Sequence, residues 1–240
     1  MTALPMLVRS ALFNVWFVAM TTGYGTAGIV VRVWAPGRAL GLAQGWARAV
    51  IWGLQAMCGV RIVVTGREHL PDGAALIASQ HQSAFDTLIW LTLVPRVSYV
   101  FKAELGQVPL FGPLLVPAGQ IPLDRAGGRG AMRSLLAAAV AAVAAGRQIV
   151  IFPEGTRVAP GAVRPLRPGI AAMAVRTGLP IIPVATDSGL LWGRRAFRKR
   201  AGTIHVAIGQ PVAATGGAAA ILDAVQRAWD EEATRFEACG

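Results

Sequence analysis

A histidine and an aspartate separated by four residues, His81 and Asp86, stand where one apolar run ends and a second begins. Histidine can take up and return a proton near neutral pH, because its unperturbed pKa is about 6.5. A neighbouring carboxylate can fix the tautomer of the ring and stabilise the imidazolium. If the substrate supplies a hydroxyl group, His81 would act as its general base and Asp86 would orient His81.

The two side chains can meet only if the chain turns between them. On one continuous helix an offset of five residues turns the chain by about 500°, which leaves the side chains roughly 140° apart. We therefore predict that His81 precedes a helix and that Asp86 lies in its first turn, with Ser83 as the N-cap residue. A purely structural interpretation also stands, since Ser83-x-x-Asp86 is similar to a capping box with aspartate in place of glutamate.

Three further blocks follow in order: residues 119–125 (GQIPLDR), 152–157 (FPEGTR) and 179–184 (LPIIPV). Together with the histidine–aspartate block they resemble the 1-acylglycerol-3-phosphate acyltransferases, the lysophosphatidic acid acyltransferases of phospholipid synthesis. The resemblance covers about residues 59–210, including flanking matches at 59–71, 101–105 and 109–112. A single block is weakly specific, whereas the ordered set is highly specific.

The resemblance implies an enzyme that transfers an acyl group to the 2-hydroxyl of 1-acylglycerol-3-phosphate, giving phosphatidic acid. The donor would be acyl-coenzyme A or an acyl-carrier protein as co-substrate, with no other cofactor and no metal. The acceptor could also be glycerol-3-phosphate, another lysophospholipid or a lyso-aminolipid. A non-catalytic membrane-binding scaffold is a different class, but it would not need His81 and Asp86. A hydrolase is not favoured, because the sequence has no G-x-S-x-G motif.

An acceptor phosphate calls for cationic or backbone N–H donors, and a bidentate guanidinium suits it well. Arg125 and Arg157, one from each of the second and third blocks, are predicted to bind it, with Lys102 as a third cation. For a single arginine the alternative is a solvated surface position, and the position inside a recognised block favours binding.

The third block offers further substrate contacts. Gly155 is predicted to form a tight turn that lets the backbone approach a ligand. Thr156 could donate to a phosphate oxygen. Glu154 could bind the acceptor or hold an arginine in place, and a purely structural pairing stands beside these two roles.

The composition favours anionic and membrane partners. The chain of 240 residues is 54% hydrophobic, 15% charged and carries a formal net charge of +11. A basic surface attracts phosphate-bearing ligands or anionic lipid, and no signature of a nucleic-acid-binding fold is found. Cys58 and Cys239 offer neither a disulfide framework nor metal spacing, so both are predicted to be free thiols in a reducing compartment.

The N-terminal part reads as a membrane element. Residues 11–31 carry no charge and are long enough to cross a hydrocarbon core, although Gly23 and Gly25 could form a turn between two shorter helices. No convincing signal-peptide cleavage site follows. We predict a membrane-associating helical segment at 1–58 and a catalytic domain at 59–240, at the cytoplasmic face of a bacterial inner membrane. A single span and interfacial helices both remain open.

Short apolar runs alternate with helical patterns in the rest of the chain. Predicted helices are 41–57, 130–145 and 217–236, and predicted strands are 61–65, 74–79, 97–102, 120–123, 148–152, 181–185 and 203–208. This alternation predicts an α/β domain with a largely parallel or mixed sheet flanked by helices, as in the glycerol-3-phosphate-acyltransferase-like fold that the resemblance implies. His81, Arg125 and Glu154 each follow a predicted strand, so they could converge at the carboxyl ends of the strands.

Residues 193–200, here called the basic segment, place five cations around Phe197. Three interpretations stand together: a solvated loop, a contact with anionic lipid headgroups, and a contact with the phosphates of coenzyme A or with an acidic carrier protein.

Overall fold

The computed structural model describes residues 5–124 and 126–238. One seven-stranded sheet has the order β1-β7-β6-β2-β5-β3-β4. The strands are β1 (Val60–Thr65), β2 (Ala75–Ser79), β3 (Val97–Lys102), β4 (Ile121–Leu123), β5 (Gln148–Ile151), β6 (Ile181–Thr186) and β7 (Gly202–Ile208). Neighbouring strands are parallel except β6 and β7, which are antiparallel. The mixed sheet is thus confirmed, with strand bounds within one residue of the predicted ones.

The helices lie on both faces of this sheet. They are α1 (Met6–Trp34), α2 (Ala39–Cys58), α3 (Phe85–Leu93), α4 (Gly112–Leu115), α5 (Gly128–Ala144), α6 (Gly169–Thr177), α7 (Ser188–Leu191) and α8 (Gly217–Ala238). One core cluster joins α1, α2 and α3 to the sheet, and the other joins α5, α6 and α8 to it. Because both faces are covered, every residue of β2, β5 and β6 is buried.

α1 is a single continuous helix, so the alternative of a turn at Gly23 and Gly25 is wrong. Two glycines let α1 lie close to the α4 region. A Cβ atom at Gly25 would be 3.0 Å from Cβ of Leu110, and one at Gly28 would be 2.3 Å from Cδ1 of Leu114. α1 is long and apolar enough to cross a membrane by length and composition, and only 11% of its most apolar window is buried.

Lys199 of the basic segment fixes α1 to the domain. Its side chain is buried, and Nζ donates to Oδ1 of Asn14 at 2.7 Å and to two loop carbonyls. Nζ also lies 5.5 Å from the ring centroid of Phe13 and 5.2 Å from that of Trp192. Burial lowers the pKa of Lys199. One of the five cations of the basic segment therefore has a structural role.

Candidate active site

His81 and Asp86 meet at the junction between β2 and α3. Nδ1 of His81 lies 3.2 Å from Oδ2 of Asp86. His81 is in the loop that follows β2, and Asp86 is in the first turn of α3, as predicted. The bend before the helix brings together two side chains that a continuous helix would separate.

The prediction that Ser83 is the N-cap residue is wrong, because the N-cap of α3 is Ala84 and has no side-chain cap. Oγ of Ser83 accepts the Phe85 N–H at 3.1 Å, while Oδ2 of Asp86 accepts the Ser83 N–H at 2.7 Å. Asp86 thus stabilises the helix start and also contacts His81. Binding of the helix start and contact with His81 are therefore compatible, because one oxygen of Asp86 makes both contacts.

The carboxylate of Asp86 is buried, and both of its oxygens accept hydrogen bonds. It is 2% exposed. Oδ2 accepts the main-chain N–H of Gln82 at 2.6 Å and that of Ser83, and Oδ1 accepts the hydroxyl of Ser188 at 2.5 Å. Because an ionised carboxylate only accepts hydrogen bonds, the proton of a neutral His81 ring lies on Nδ1. The lone pair of Nε2 is then available for a substrate proton.

The ring of His81 is held by stacking. It lies against Phe152, with ring centroids 4.1 Å apart and planes inclined by 21°. The ring of Tyr99 is also stacked on Phe152, with ring centroids 6.2 Å apart. The His81 side chain is 15% exposed. The ring plane is therefore fixed while part of the imidazole can be reached by a substrate.

Glu154 contacts the backbone of His81. Its Oε1 accepts the His81 N–H at 2.9 Å. Burial raises the pKa of Glu154 to about 7, against the opposing effect of this hydrogen bond. Its other oxygen, Oε2, is buried and has no hydrogen-bond partner among the residues that the structure describes. Glu154 thus positions the loop that carries His81. With a pKa of about 7, its carboxyl group can bind and release a proton near neutral pH.

The third block forms a tight turn beside His81. Gly155 has a φ of +72°, and a Cβ atom there would lie 2.4 Å from Nε of Arg167, so the turn and its close approach both require glycine. The N–H of Val158 donates to the carbonyl of His81 at 2.7 Å. Thr156 is half-buried in this loop. The block is therefore tied directly to the histidine loop.

The three residues predicted to bind the acceptor phosphate are Arg157, Lys102 and Arg125. Arg157 is half-buried, and burial lowers its pKa; nearby Asp86 raises the pKa, whereas Arg194 and Arg195 lower it further. Lys102 is at the exposed end of β3 and forms an ion pair with Glu104 at 3.0 Å. Arg125 lies outside the described residues. The phosphate-binding role of all three remains a prediction.

Ser188 is the site residue that sequence reasoning missed. It follows β6 as His81 follows β2 and Glu154 follows β5. Since β6, β2 and β5 are neighbours and parallel, these three residues lie beyond carboxyl ends at one edge of the sheet. Its position after the predicted strand 181–185 was the available signal, but a lone serine there does not indicate which atom it contacts.

These features define a site that can take a proton from a hydroxyl group of a bound substrate, on an α/β fold. Within residues 5–124 and 126–238, no cluster of three or more His, Cys, Asp or Glu side chains could hold a metal ion. The family model for the acyltransferase domain matches residues 61–187, which include the histidine–aspartate block and the blocks that follow it. The chain belongs to the acyltransferase family.

Two relatives of the chain are both 1-acyl-sn-glycerol-3-phosphate acyltransferases. The chain is 34% identical to the 1-acyl-sn-glycerol-3-phosphate acyltransferase of Pseudomonas aeruginosa, over 92% of this chain and 87% of that protein. It is 32% identical to a protein of the same name from Cocos nucifera, over 69% of this chain and 53% of that protein. The family resemblance predicted from the ordered blocks is therefore confirmed.

A solved structure shares the fold. The 1-acyl-sn-glycerophosphate (LPA) acyltransferase PlsC from Thermotoga maritima superposes with a TM-score of 0.77, covering 96% of this chain and 97% of that one at 21% identity. The predicted mixed sheet with flanking helices and an N-terminal apolar helix is confirmed.

Proposed function

We propose that this chain transfers an acyl group from acyl-coenzyme A or an acyl-carrier protein to the 2-hydroxyl of 1-acylglycerol-3-phosphate, giving phosphatidic acid. The names of the relatives support this acceptor. The observation that carries the proposal is the buried Asp86 on Nδ1 of His81, which directs the basic Nε2 toward an acceptor hydroxyl. A scaffold would gain nothing from this arrangement.

The reaction then needs no nucleophile from the protein. Nε2 of His81 takes the proton of the acceptor hydroxyl as its oxygen attacks the thioester carbonyl carbon of the donor. Asp86 stabilises the resulting imidazolium. The tetrahedral intermediate collapses, the carbon–sulfur bond breaks, and the leaving thiolate takes up the proton from His81. The products are the ester and the free thiol, and His81 returns to its neutral form.

Arg157 is the described residue best placed to bind the acceptor phosphate. Burial, together with the charges of Arg194 and Arg195 of the basic segment, lowers the pKa of this arginine, whereas the charge of Asp86 raises it. Among the residues that the structure describes, Arg157 forms no ion pair. Repulsion among these cations and partial burial of Arg157 both disfavour its charge, so a bound dianion would stabilise it. We propose that Arg125 completes this phosphate site.

Replacing Arg157 by alanine should raise the KM for the acceptor by roughly ten- to a hundredfold, with little change in the KM for the donor. A hydrogen bond to a charged group contributes about 1.5 to 3 kcal/mol, which sets this range if binding is at equilibrium. Lysine should restore the charge but not the bidentate fork, and should recover activity only in part. Steady-state kinetics of the purified protein in detergent, with each donor type, measure these values.

The exposed Arg164 on the same loop gives a matched control, since Arg164→Ala removes a cation of equal charge. It should leave the acceptor KM near the parent value. The test also compares lysophosphatidic acid with monoacylglycerol, which lacks the phosphate. If Arg157→Ala lowers activity equally with both acceptors, the arginine does not bind phosphate, and the acceptor is to be sought among neutral or zwitterionic lysolipids.

We also propose that the protein associates with the cytoplasmic face of an anionic membrane. α1 presents a set of apolar side chains that are more than half exposed: Val15, Val18, Ile29, Val30, Val33 and Trp34. Phe197 of the basic segment is 54% exposed and has exposed arginines on both sides. Apolar insertion combined with basic residues at headgroup level is the pattern of interfacial binding.

The contacts of α1 favour an interfacial position over a single span. Ser10 and Asn14 bind Lys199, and Gly28 lies against Leu114. A helix that crossed the bilayer would have to leave one of these contacts, because the segment between Ser10 and Gly28 is about as long as the hydrocarbon core is thick. We therefore expect α1 to lie along the membrane surface.

The protein should sediment with vesicles that contain anionic phospholipid, bind them more weakly at high salt, and be at least partly released by carbonate. Screening weakens the contribution of the arginines, and interfacial binding is reversible. Vesicles of zwitterionic lipid alone serve as the control. Full resistance to carbonate would show a spanning helix, and intact protein found wholly in the soluble fraction at physiological salt would contradict both modes.

A further inference from the structure

Ser188 is a buried residue whose hydroxyl binds one oxygen of Asp86 while His81 contacts the other. The residue is 0% exposed. Its Oγ donates to Oδ1 of Asp86 at 2.5 Å, whereas His81 and the main-chain N–H groups of the histidine loop bind Oδ2. In the described part of the chain, Ser188 is the partner of Oδ1. This hydrogen bond therefore restrains rotation of the Asp86 carboxylate about the Cβ–Cγ bond.

The backbone of Ser188 is held in place by β7. The carboxylate of the preceding residue, Asp187, accepts two hydrogen bonds from His205: the main-chain N–H at 2.7 Å and Nδ1 at 2.6 Å. The ring of His205 stacks on Phe236 of α8, with centroids 5.3 Å apart. Oγ1 of Thr186 accepts the Ser188 N–H at 3.2 Å. The hydroxyl is therefore presented to Asp86 by a rigid part of the sheet.

We propose that Ser188 is a positioning residue for the His81–Asp86 pair, completing a chain of contacts from Ser188 through Asp86 to His81. This inference rests on the proposed function, in which His81 is the general base. Ser188 does not touch the substrate. It holds Asp86 so that Oδ2 stays on Nδ1 of His81, and its hydroxyl offsets part of the carboxylate charge.

Removing this hydroxyl has two consequences that a structural role alone does not predict. The carboxylate gains rotational freedom, so the orientation of His81 is held less well and the rate of proton transfer falls. Its negative charge also acts more strongly on the imidazolium, because one hydrogen-bond donor is missing. The base-competent neutral form of His81 is then reached only at higher pH.

The experiment compares Ser188→Ala with the parent enzyme across pH. We expect kcat to fall by roughly ten- to a hundredfold, the loss expected for one hydrogen bond to a charged group, with acceptor and donor KM values unchanged. The acidic limb of the kcat/KM profile should move to higher pH. Ser188→Cys keeps a weaker donor at the same position and should recover part of both effects, which keeps the test usable if the alanine variant folds poorly.

Ser98→Ala is the matched control. Ser98 is also 0% exposed, and its Oγ donates to the carbonyl of Gly119 at 2.6 Å and accepts Nε of Arg147 at 2.6 Å. Its loss should lower stability without moving the acidic limb. An unchanged kcat and pH profile in Ser188→Ala, or the same profile shift in Ser98→Ala, would overturn the positioning role.

A double-mutant cycle shows whether Ser188 acts through Asp86. In the Asp86→Asn background the carboxylate charge is absent, so Ser188→Ala should cost little further activity; fully additive losses would mean that Ser188 acts elsewhere. His81→Ala separates the two proposals. If that variant keeps its turnover, the general-base role of His81 in the proposed function fails. If it is inactive while Ser188→Ala behaves like the parent, only the role of Ser188 is wrong.

Discussion

Replacing His81 by alanine should lower kcat by roughly 10²- to 10⁴-fold, the range expected for loss of a general base. The acceptor hydroxyl is a poor nucleophile until its proton is removed, and Nε2 of His81 is the nitrogen left free for this by the contact of Nδ1 with Asp86. Binding of both substrates should change little, because the base acts on the reacting atom. Turnover assays with saturating donor and acceptor measure the loss.

The fold of the His81→Ala variant should persist. The side chain lies at the edge of the core, against Phe152, and is 15% exposed. His69→Ala is a suitable control, because that histidine instead contacts the carbonyl of Ile208 at 2.7 Å. His69→Ala should keep nearly full turnover. Near-normal turnover in His81→Ala, with the circular dichroism of the parent, would refute the general-base mechanism.

Replacing Asp86 by asparagine should lower kcat on the order of 100-fold while leaving the fold nearly as stable as that of the parent. The amide oxygen can replace Oδ2 and accept the same N–H groups of Gln82 and Ser83, and the amide nitrogen can donate to Oγ of Ser188. The hydrogen bonds of the loop are thereby kept. The negative charge that stabilises the imidazolium is lost, and with it much of the contribution of the base.

Asp86→Ala separates the orienting role from the capping role. It leaves the N–H of half-buried Gln82 and that of buried Ser83 without an acceptor, and a buried donor without a partner costs about 1 to 3 kcal/mol. Chemical denaturation should therefore show a loss of roughly 2 to 6 kcal/mol for Asp86→Ala and a much smaller loss for Asp86→Asn. If asparagine lowers stability as much as alanine does and leaves kcat unchanged, Asp86 serves only as a helix cap.

The contacts of Glu154 link the third block to the same mechanism. The sequence left open whether Glu154 binds the acceptor, holds an arginine or makes a purely structural pairing, and the structure shows its hydrogen bond from the His81 N–H. Through Glu154 and the N–H of Val158, the FPEGTR loop is bound to the loop that carries the base. A phosphate held by Arg157 would therefore be placed at a fixed distance from His81. This rigid connection is what an enzyme needs to present one hydroxyl of its acceptor to the base.

The sequence by itself determined the alternation of strands and helices, the family, and the approach of His81 to Asp86. These properties depend on short-range information. Apolar runs of four to eight residues mark buried strands, and the five-residue spacing allows contact only across a helix start. The block order adds specificity that no single motif has. The tight turn at Gly155 was also predictable, because glycine adopts a positive φ without strain, and Gly155 has such a φ in the structure.

Only the tertiary structure decided how the site is completed. Ser188 is 102 positions from Asp86 and Glu154 is 73 positions from His81, so no local pattern can relate them. They meet because β6, β2 and β5 are parallel neighbours whose carboxyl ends share one edge of the sheet. The two wrong predictions have different physical reasons. The glycines of α1 allow long-range contact with Leu110 and Leu114 instead of forming a turn. At the start of α3 the reason is local, because the side chain of Asp86 accepts the Ser83 N–H and α3 begins at Phe85, after Ala84.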